Sequence, residues 1–260
     1  MPHTRVNRVS LARALSKLGM ASRAQAAELI KQGRVRIDGR VETNPGRFVN
    51  PDRTRIQIDG LAHERAPWRM IALNKPRQVV TTRSDPQGRT TVYDLLEDLD
   101  TRVVPIGRLD YASNGLLLFT NDTRLANWLT DPGTKIVRRY VVTVRGELSD
   151  EAIRMLEAGV VDRGDTLKAA TITLLKRSKR ETHAMVELTE GKNREIRRMM
   201  QHSGHDVTRL TRVAFGGLEL GRLASGKWRE VSPQEARSAF PGAPMRGETT
   251  SPTTDITRQG

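Results

Sequence analysis

Between Val103 and Asp122 the chain reads VVPIGRLDYASNGLLLFTND, two apolar segments separated by turn-forming residues, and this stretch limits the possible fold more than any other. Val103, Val104 and Ile106 approach as one strand, and Leu116 to Phe119 follow as a second, buried one. Ser113, Asn114 and Gly115 between them are residues of turn type. Asp110 therefore falls at the mouth of a turn between two strands, close behind Arg108. A carboxylate held by rigid elements on both sides is placed as a catalytic group would be. The plainer role is an aspartate whose side chain caps its own turn.

The longest apolar run, Gly115 to Phe119, is far short of the roughly 20 residues needed to cross a bilayer. The amino terminus, MPHTRVNRVS, has no apolar leader core, which points to the cytoplasm. With no cysteine, disulfides and thiolate metal ligands are excluded. The 260 residues suffice for one large domain plus a small module. A formal charge of +14 calls for a polyanionic partner, and its distribution narrows the choice. Residues 1–60 hold 12 Lys/Arg against 5 Asp/Glu, half of the whole excess. Such concentration suggests nucleic acid, because no amphipathic helix is available to anchor the basic face to a membrane.

Along the chain, Ser10 is expected to cap a helix that buries Leu11, Leu15 and Leu18 and ends at Gly19. Ser22 and Gln25 form a capping box for a second helix that buries Ala26, Leu29 and Ile30 and stops at Gly33. Arg34 to Ile37 and Arg55 to Ile58 alternate as strands, each followed by an Asp-Gly hairpin turn. Residues 61–67 read as a linker between this module (1–60) and a large domain (68–240). In that domain Thr91 caps a short helix, and Leu125, Trp128 and Leu129 lie on another. Tyr140, Val142 and Val144 share the inward face of a strand, Ser149 caps a helix ending at Gly159, and alternating strands follow at 170–174 and 183–188. In the helix opened by GKNREIRRM, about 100° per residue puts Ile196, Met199 and Met200 on the buried stripe and Arg197 at its border, with Arg194 and Arg198 facing away. His202 and His205 lack further ligands at metal spacing. Closing strands lie at 212–220 and 227–231, and the polar tail 244–260 is expected to be disordered. The sum is an α+β fold: a helix-helix-hairpin module, then a mixed, mainly antiparallel sheet with flanking helices.

GRLDYASNGLLLFTND closely resembles the central motif of the pseudouridine synthases, in the branch that modifies ribosomal RNA. LNKPRQVVTTRSDPQGRTTVYDLL, RRYVVTV and GKNREIRRM resemble further motifs of the same family, in family order. Two departures are Thr123 and Gln78, each standing where the family usually has glycine. LARALSKLGMASRAQAAELIKQGRVRIDG resembles the small S4-type RNA-binding module. The resemblance implies that Asp110 is the catalytic aspartate, that Tyr140 lies against the target base, and that Arg197 partners Asp110 as its cation. It implies RNA contacts by Arg13, Lys17, Arg23, Arg34 and Arg36, and leaves Arg108 to fill the space of a flipped-out nucleotide. The implied reaction turns a uridine of ribosomal RNA, with the DPQGR subgroup pointing to the large subunit, into pseudouridine. No metal or cofactor takes part, and the protein acts as a monomer. Whether Asp110 attacks the ring, attacks the sugar or assists a proton transfer is left open.

Two other classes compete. A non-catalytic RNA-binding factor for ribosome assembly would have the same fold but need not keep Asp110, Tyr140 and Arg197 together. A glycosidic hydrolase needs a second carboxylate opposite the first, and none is expected from the motifs.

Overall fold

The computed structural model describes residues 8–51, 54–62, 67–99 and 102–245. Its amino-terminal part contains β1 (Val9–Ser10), α1 (Leu11–Lys17), α2 (Arg23–Lys31), β2 (Val35–Ile37), β3 (Arg40–Val41), β4 (Phe48–Val49), β5 (Ile56–Ile58) and β6 (Leu61–Ala62). Leu11, Ala14, Leu15, Ala26, Ile30 and Val35 are fully buried in one cluster, which two short helices could not form without the strands beside them. The capping box on α2 is complete: Ser22 Oγ accepts from Gln25 N–H at 3.2 Å, and Gln25 Oε1 accepts from Ser22 N–H at 3.0 Å. Ser10 precedes α1 without a side-chain cap. The carbonyls of Arg47 and Pro45 already accept from Leu11 and Ala12 N–H, so the hydroxyl is not needed. Both Asp-Gly pairs are left-handed at both positions, Asp38 and Gly39 at φ 48° and 85°, Asp59 and Gly60 at 54° and 79°. The second turn returns the chain as β6 against β5, so Leu61 and Ala62, read from sequence as linker, are strand. Residues 63–66 of that linker lie outside the described residues.

The remainder comprises β7 (Met70–Lys75), β8 (Val104–Ile106), β9 (Asn114–Thr120), α3 (Thr123–Thr130), β10 (Arg138–Arg145), α4 (Asp150–Ala158), β11 (Val160–Asp162), β12 (Asp165–Leu167), β13 (Thr171–Arg177), β14 (Glu181–Leu188), α5 (Glu195–His202), β15 (Val207–Phe215), β16 (Leu218–Glu219), β17 (Trp228–Glu230) and α6 (Pro233–Ala239). Nine of these strands make one mixed sheet in the order β13-β14-β10-β15-β9-β7-β17, with β16 on β15 and β8 on β9. The LLLF run is continuous because both faces of the sheet are covered: Leu117 and Phe119 enter one core with Ile71 and Leu73, while Leu116 and Leu118 enter the other with Met70 and Ala72. Helices α4 and α5 close the first core, and α3 and α6 the second. Asp122 caps α3 by accepting from Arg124 and Leu125 N–H, and Thr123 is simply its first residue. The helix expected after Thr91 is a single 3₁₀ turn, Asp94–Leu96, to which Thr91 Oγ1 supplies the acceptor. Met245, assigned by sequence to a disordered tail, packs into the second core at 7% exposure; residues 246–260 lie outside the described residues.

The two antiparallel halves of the sheet meet where β15 runs parallel to β9, with Arg212 opposite Gly115. Gly115 sits at φ +107°, and a Cβ there would lie 2.2 Å from the Arg212 carbonyl oxygen and 2.7 Å from its nitrogen. Backbone cannot retreat from such a clash as a flexible side chain can, and a left-handed alanine adds strain. Gly115→Ala is therefore expected to destabilise the fold by more than about 3 kcal/mol, measured by urea unfolding, and to separate Asp110 from β10.

Candidate active site

Five consecutive carbonyls fix the turn that carries Asp110. Thr81 Oγ1 donates to Leu109 O at 2.8 Å, Gln78 N–H to Tyr111 O at 2.7 Å, and Arg197 Nη2 to Ala112 O at 3.3 Å. Lys75, at the end of β7 and fully buried, donates from Nζ to Asp110 O at 3.2 Å, to Ser113 O at 2.9 Å and to Pro76 O at 2.9 Å. Ser113 N–H also closes on Asp110 O at 3.0 Å. The turn is thus held by its backbone, and the Asp110 carboxylate makes no hydrogen bond or ion pair among the described residues. The plainer role considered for Asp110, a side-chain cap on its own turn, is not the one adopted. Gln78, where the family usually has glycine, takes the left-handed conformation at φ 62° that glycine would supply.

Asp110 faces a cavity of about 340 Å³ shared with Tyr140 and lined also by Arg108, Arg194, Glu195 and Arg212. Tyr140 is 8% exposed on β10, paired with Arg212 on β15, so the seam of the sheet sets its distance from the Asp110 turn. Arg138 and Arg212, both in the cavity lining, place their guanidinium carbons over the same ring, 4.8 and 5.3 Å from the Phe215 centroid. Arg138 spends its donors on the carbonyls of Leu129, Ile136 and Thr189. Burial holds the Arg138 guanidinium below its usual value, opposed by Tyr140 and Glu195. Burial first, then the neighbouring Glu190 carboxylate, push the Glu195 carboxyl up to about 7.

The structure corrects the helix-wheel reading of GKNREIRRM at two arginines. Arg194 was placed facing away, yet it lines the cavity, because it precedes α5 as a left-handed residue at φ 49° and so does not follow the helical wheel. Arg198 was placed in solvent or on phosphate, yet it is 12% exposed and bound to Asp162 and to Asp165, the latter at 2.8 Å. Arg197 does border the buried stripe, half-buried as expected. Its guanidinium holds the carbonyls of Val207 and Ala112 instead of forming an ion pair with Asp110. Burial lowers its pKa, and Asp110 opposes that change from a distance. A further correction concerns carboxylates, since both Glu190 and Glu195 line the cavity with Asp110.

Of the residues expected on RNA, Arg13, Arg23, Arg34 and Arg36 are exposed and Lys17 is half-buried. Arg34 already forms a two-pronged pair with Asp59 at 2.8 and 2.6 Å, and Arg36 donates to Gly39 O. Arg108 is exposed at the cavity mouth. Sequence reasoning missed Lys75, Arg138 and Arg212. Their signal was a cation in step with the apolar, inward face of its strand, Arg138 with Tyr140 and Val142, Arg212 with Leu210 and Ala214, and Lys75 with Ile71 and Leu73, which demands oxygen partners from elsewhere in the fold.

Residues 69–202 match the model of the RNA pseudouridylate synthases, and residues 9–54 match that of the S4 domain. The chain belongs to the RNA pseudouridylate synthase family. It is 39% identical over 230 residues to the ribosomal large subunit pseudouridine synthase B of Bacillus subtilis (strain 168), covering 87% of this chain and 93% of that protein. To the protein of that name in Escherichia coli (strain K12) it is 37% identical, covering 85% and 78%. A solved pseudouridylate synthase at 22% identity superposes with a TM-score of 0.63 over 89% of this chain and 99% of that one, showing a shared fold. Membership of this family, and not the count of carboxylates, sets the glycosidic hydrolase aside.

Burial pulls the Lys75 ammonium of this synthase from its usual 10.5 down to about 8, with Asp110 opposing the change. Between about pH 8 and 10.5 the unfolded chain therefore holds more protons at this group than the folded one. Its contribution to stability rises with pH across that window. Lys75→Met is expected to remove this pH dependence, to orphan the Pro76 and Ser113 carbonyls and leave Asp110 O with only Ser113 N–H, at a cost of about 2 kcal/mol or more, and to loosen the Asp110 turn. Urea unfolding of both proteins from pH 7 to 11 measures the first two effects.

Proposed function

We propose that this synthase isomerises a specific uridine of large-subunit ribosomal RNA to pseudouridine, with Asp110 as the catalytic carboxylate, Tyr140 against the base and Arg197 as a basic partner. The reaction breaks the bond from ribose to ring nitrogen, turns the uracil and rejoins the sugar to ring carbon five, with no change of oxidation state. The observation that carries the reading is a carboxylate left unpaired on a turn whose every carbonyl is tied, facing a buried tyrosine across a cavity. Preorganisation of this kind serves chemistry, because the reacting group need not be moved into place. The names of the relatives in Bacillus subtilis and Escherichia coli support large-subunit ribosomal RNA as the substrate. In this reading Arg197 acts on Asp110 through the Ala112 carbonyl and through its field, and Arg194 supplies positive charge at the cavity itself. Arg108 holds the space of the flipped nucleotide.

Residues 1–60 serve as the docking module, with Arg13, Lys17, Arg23, Arg34 and Arg36 toward RNA; residues 68–240 carry the chemistry. The protein works as a cytoplasmic monomer on free or pre-ribosomal RNA. No helix among the described residues is long and apolar enough to cross a membrane. The assembly-factor reading predicts RNA binding without turnover, which the following measurements separate.

Asp110→Asn removes the charge at similar size. Release of tritium from uridine carbon five of large-subunit ribosomal RNA should fall to background, with RNA affinity within about twofold of wild type, since phosphate contacts set affinity. Deleting residues 1–62 should weaken RNA binding and flatten its salt dependence, while single-turnover rates at saturating RNA change much less. A folded truncation that binds as tightly as the whole chain would contradict the docking role.

A further inference from the structure

Among the described aromatic side chains only Phe48 and Tyr111 are exposed, and Tyr111 is the one that adjoins Asp110. Its side chain is 42% exposed, and its hydroxyl has no hydrogen-bond partner among the described residues. An exposed tyrosine free to move would call for no explanation. This one is held. Tyr111 O accepts from Gln78 N–H at 2.7 Å, and the carbonyls before and after it are bound by Lys75 and Arg197. Over the ring, 5.6 Å from its centroid, lies the guanidinium of Arg89.

Arg89 is fixed in turn by the DPQGR segment that it ends. The Asp85 carboxylate, its side chain only 5% exposed, accepts from Arg89 Nε at 3.0 Å, from Nη2 at 2.7 Å and from Arg89 N–H at 2.9 Å. Gly88 N–H closes on Asp85 O at 3.1 Å, with Gly88 left-handed at φ 68°. The loop is pinned at its base, where Val80 N–H meets Thr90 O at 2.9 Å and Val92 N–H meets Val80 O at 3.0 Å. A motif with no part in the chemistry thus sets a fixed cation against a fixed ring. Tyr111 also borders an open hollow with Arg77, Gln78 and Ala112, all of them exposed. This hollow is separate from the cavity of Asp110 and Tyr140, and Arg89 does not line it. Arg77 makes no hydrogen bond or ion pair among the described residues. After burial, Arg194 and then Arg77 lower the Arg197 pKa, so like charges crowd this rim. A rigid ring with an unspent guanidinium beside it offers an unpaired nucleotide a flat surface for its base and a cation for its phosphate.

Building on the reading of the protein as a uridine isomerase on RNA, we propose that Tyr111 is a stacking platform for the unpaired base next to the target uridine, with Arg89 backing the ring and Arg77 on that nucleotide's phosphate. Neighbouring α-carbons are about 3.8 Å apart, so a uridine that reaches Asp110 brings its chain neighbour to Tyr111. The gap between the Arg89 guanidinium and the ring is too narrow for a base, which leaves the ring surface that borders the hollow. Stacking accepts any base, since each has a π-face. The platform therefore contributes affinity and the register of the strand, not the identity of the neighbour. A flanking base held there is also withdrawn from the stack that the uridine must leave, which lowers the cost of flipping.

The target uridine is first mapped with the wild-type enzyme on a large-subunit ribosomal RNA transcript, and fragments are made with 2-aminopurine or an abasic residue at each flanking position. At one of the two positions, 2-aminopurine fluorescence should be quenched on binding wild type or Tyr111→Phe, which keeps the ring, and not on binding Tyr111→Ala. There the abasic residue should raise KM in tritium release about tenfold for wild type and less than about twofold for Tyr111→Ala, whose KM on the intact fragment is already about tenfold higher. Both variants should melt at the wild-type temperature, as the ring is exposed. Arg77→Ala should weaken binding of every fragment alike and lower the slope of log Kd against log salt by about one. Quenching that is absent in wild type or equal in Tyr111→Ala, or an abasic penalty undiminished in Tyr111→Ala, would overturn the platform, and an unchanged salt slope would overturn the Arg77 contact. Failure of the wild type to form pseudouridine would instead overturn the parent reading and this proposal with it.

Discussion

An ammonium group with no water around it needs oxygen partners, and Lys75 takes its three from the backbone of Pro76, Asp110 and Ser113. The geometry of the site depends on this contact. Lys75 ends an interior strand, paired on both sides, whose register is fixed by two cores, so its Nζ is as immobile as the sheet. The turn bound to it inherits that position without using the Asp110 side chain. A buried charge is an expensive anchor, as the pull of its pKa down to about 8 shows. What it provides is a carboxylate held at a defined place yet without a hydrogen-bond or ion-pair partner among the described residues.

The seam between β9 and β15 does the complementary task. Asp110 precedes β9, Tyr140 sits on β10, and β15 lies between. The approach of Gly115 to the Arg212 backbone therefore sets how far the carboxylate stands from the tyrosine. A cavity opens where two antiparallel halves meet, and two arginines of its lining stack on Phe215 instead of reaching solvent. Fold and site are joined at the same few residues.

Periodicity and turn chemistry succeed where the chain acts locally. The Ser22–Gln25 box, the two Asp-Gly turns, the Ser149 cap and the alternation of β14 are all visible in the residues because the forces that make them span a few positions. The errors fall where a partner comes from far along the chain. Ser10 lost its cap to Arg47 and Pro45, Arg198 was claimed by Asp162 and Asp165, and Met245 was drawn into a core that its polar surroundings gave no reason to expect. Arg194 was misplaced for a different reason: the wheel was extended one residue beyond the point where helical geometry begins.

From the sequence alone came the α+β class, the basic module, the turn bearing Asp110 and the family resemblance, since each resides in short-range pattern or in motif. Tertiary structure alone decided that Lys75 holds the turn, that Arg197 meets the Ala112 carbonyl before it meets Asp110, and that Glu195 and Arg212 line one cavity. These pairings join residues 17 to 85 positions apart. No local preference encodes them, because burying a charge dictates that a partner must exist and leaves the packing of the sheet to choose which one.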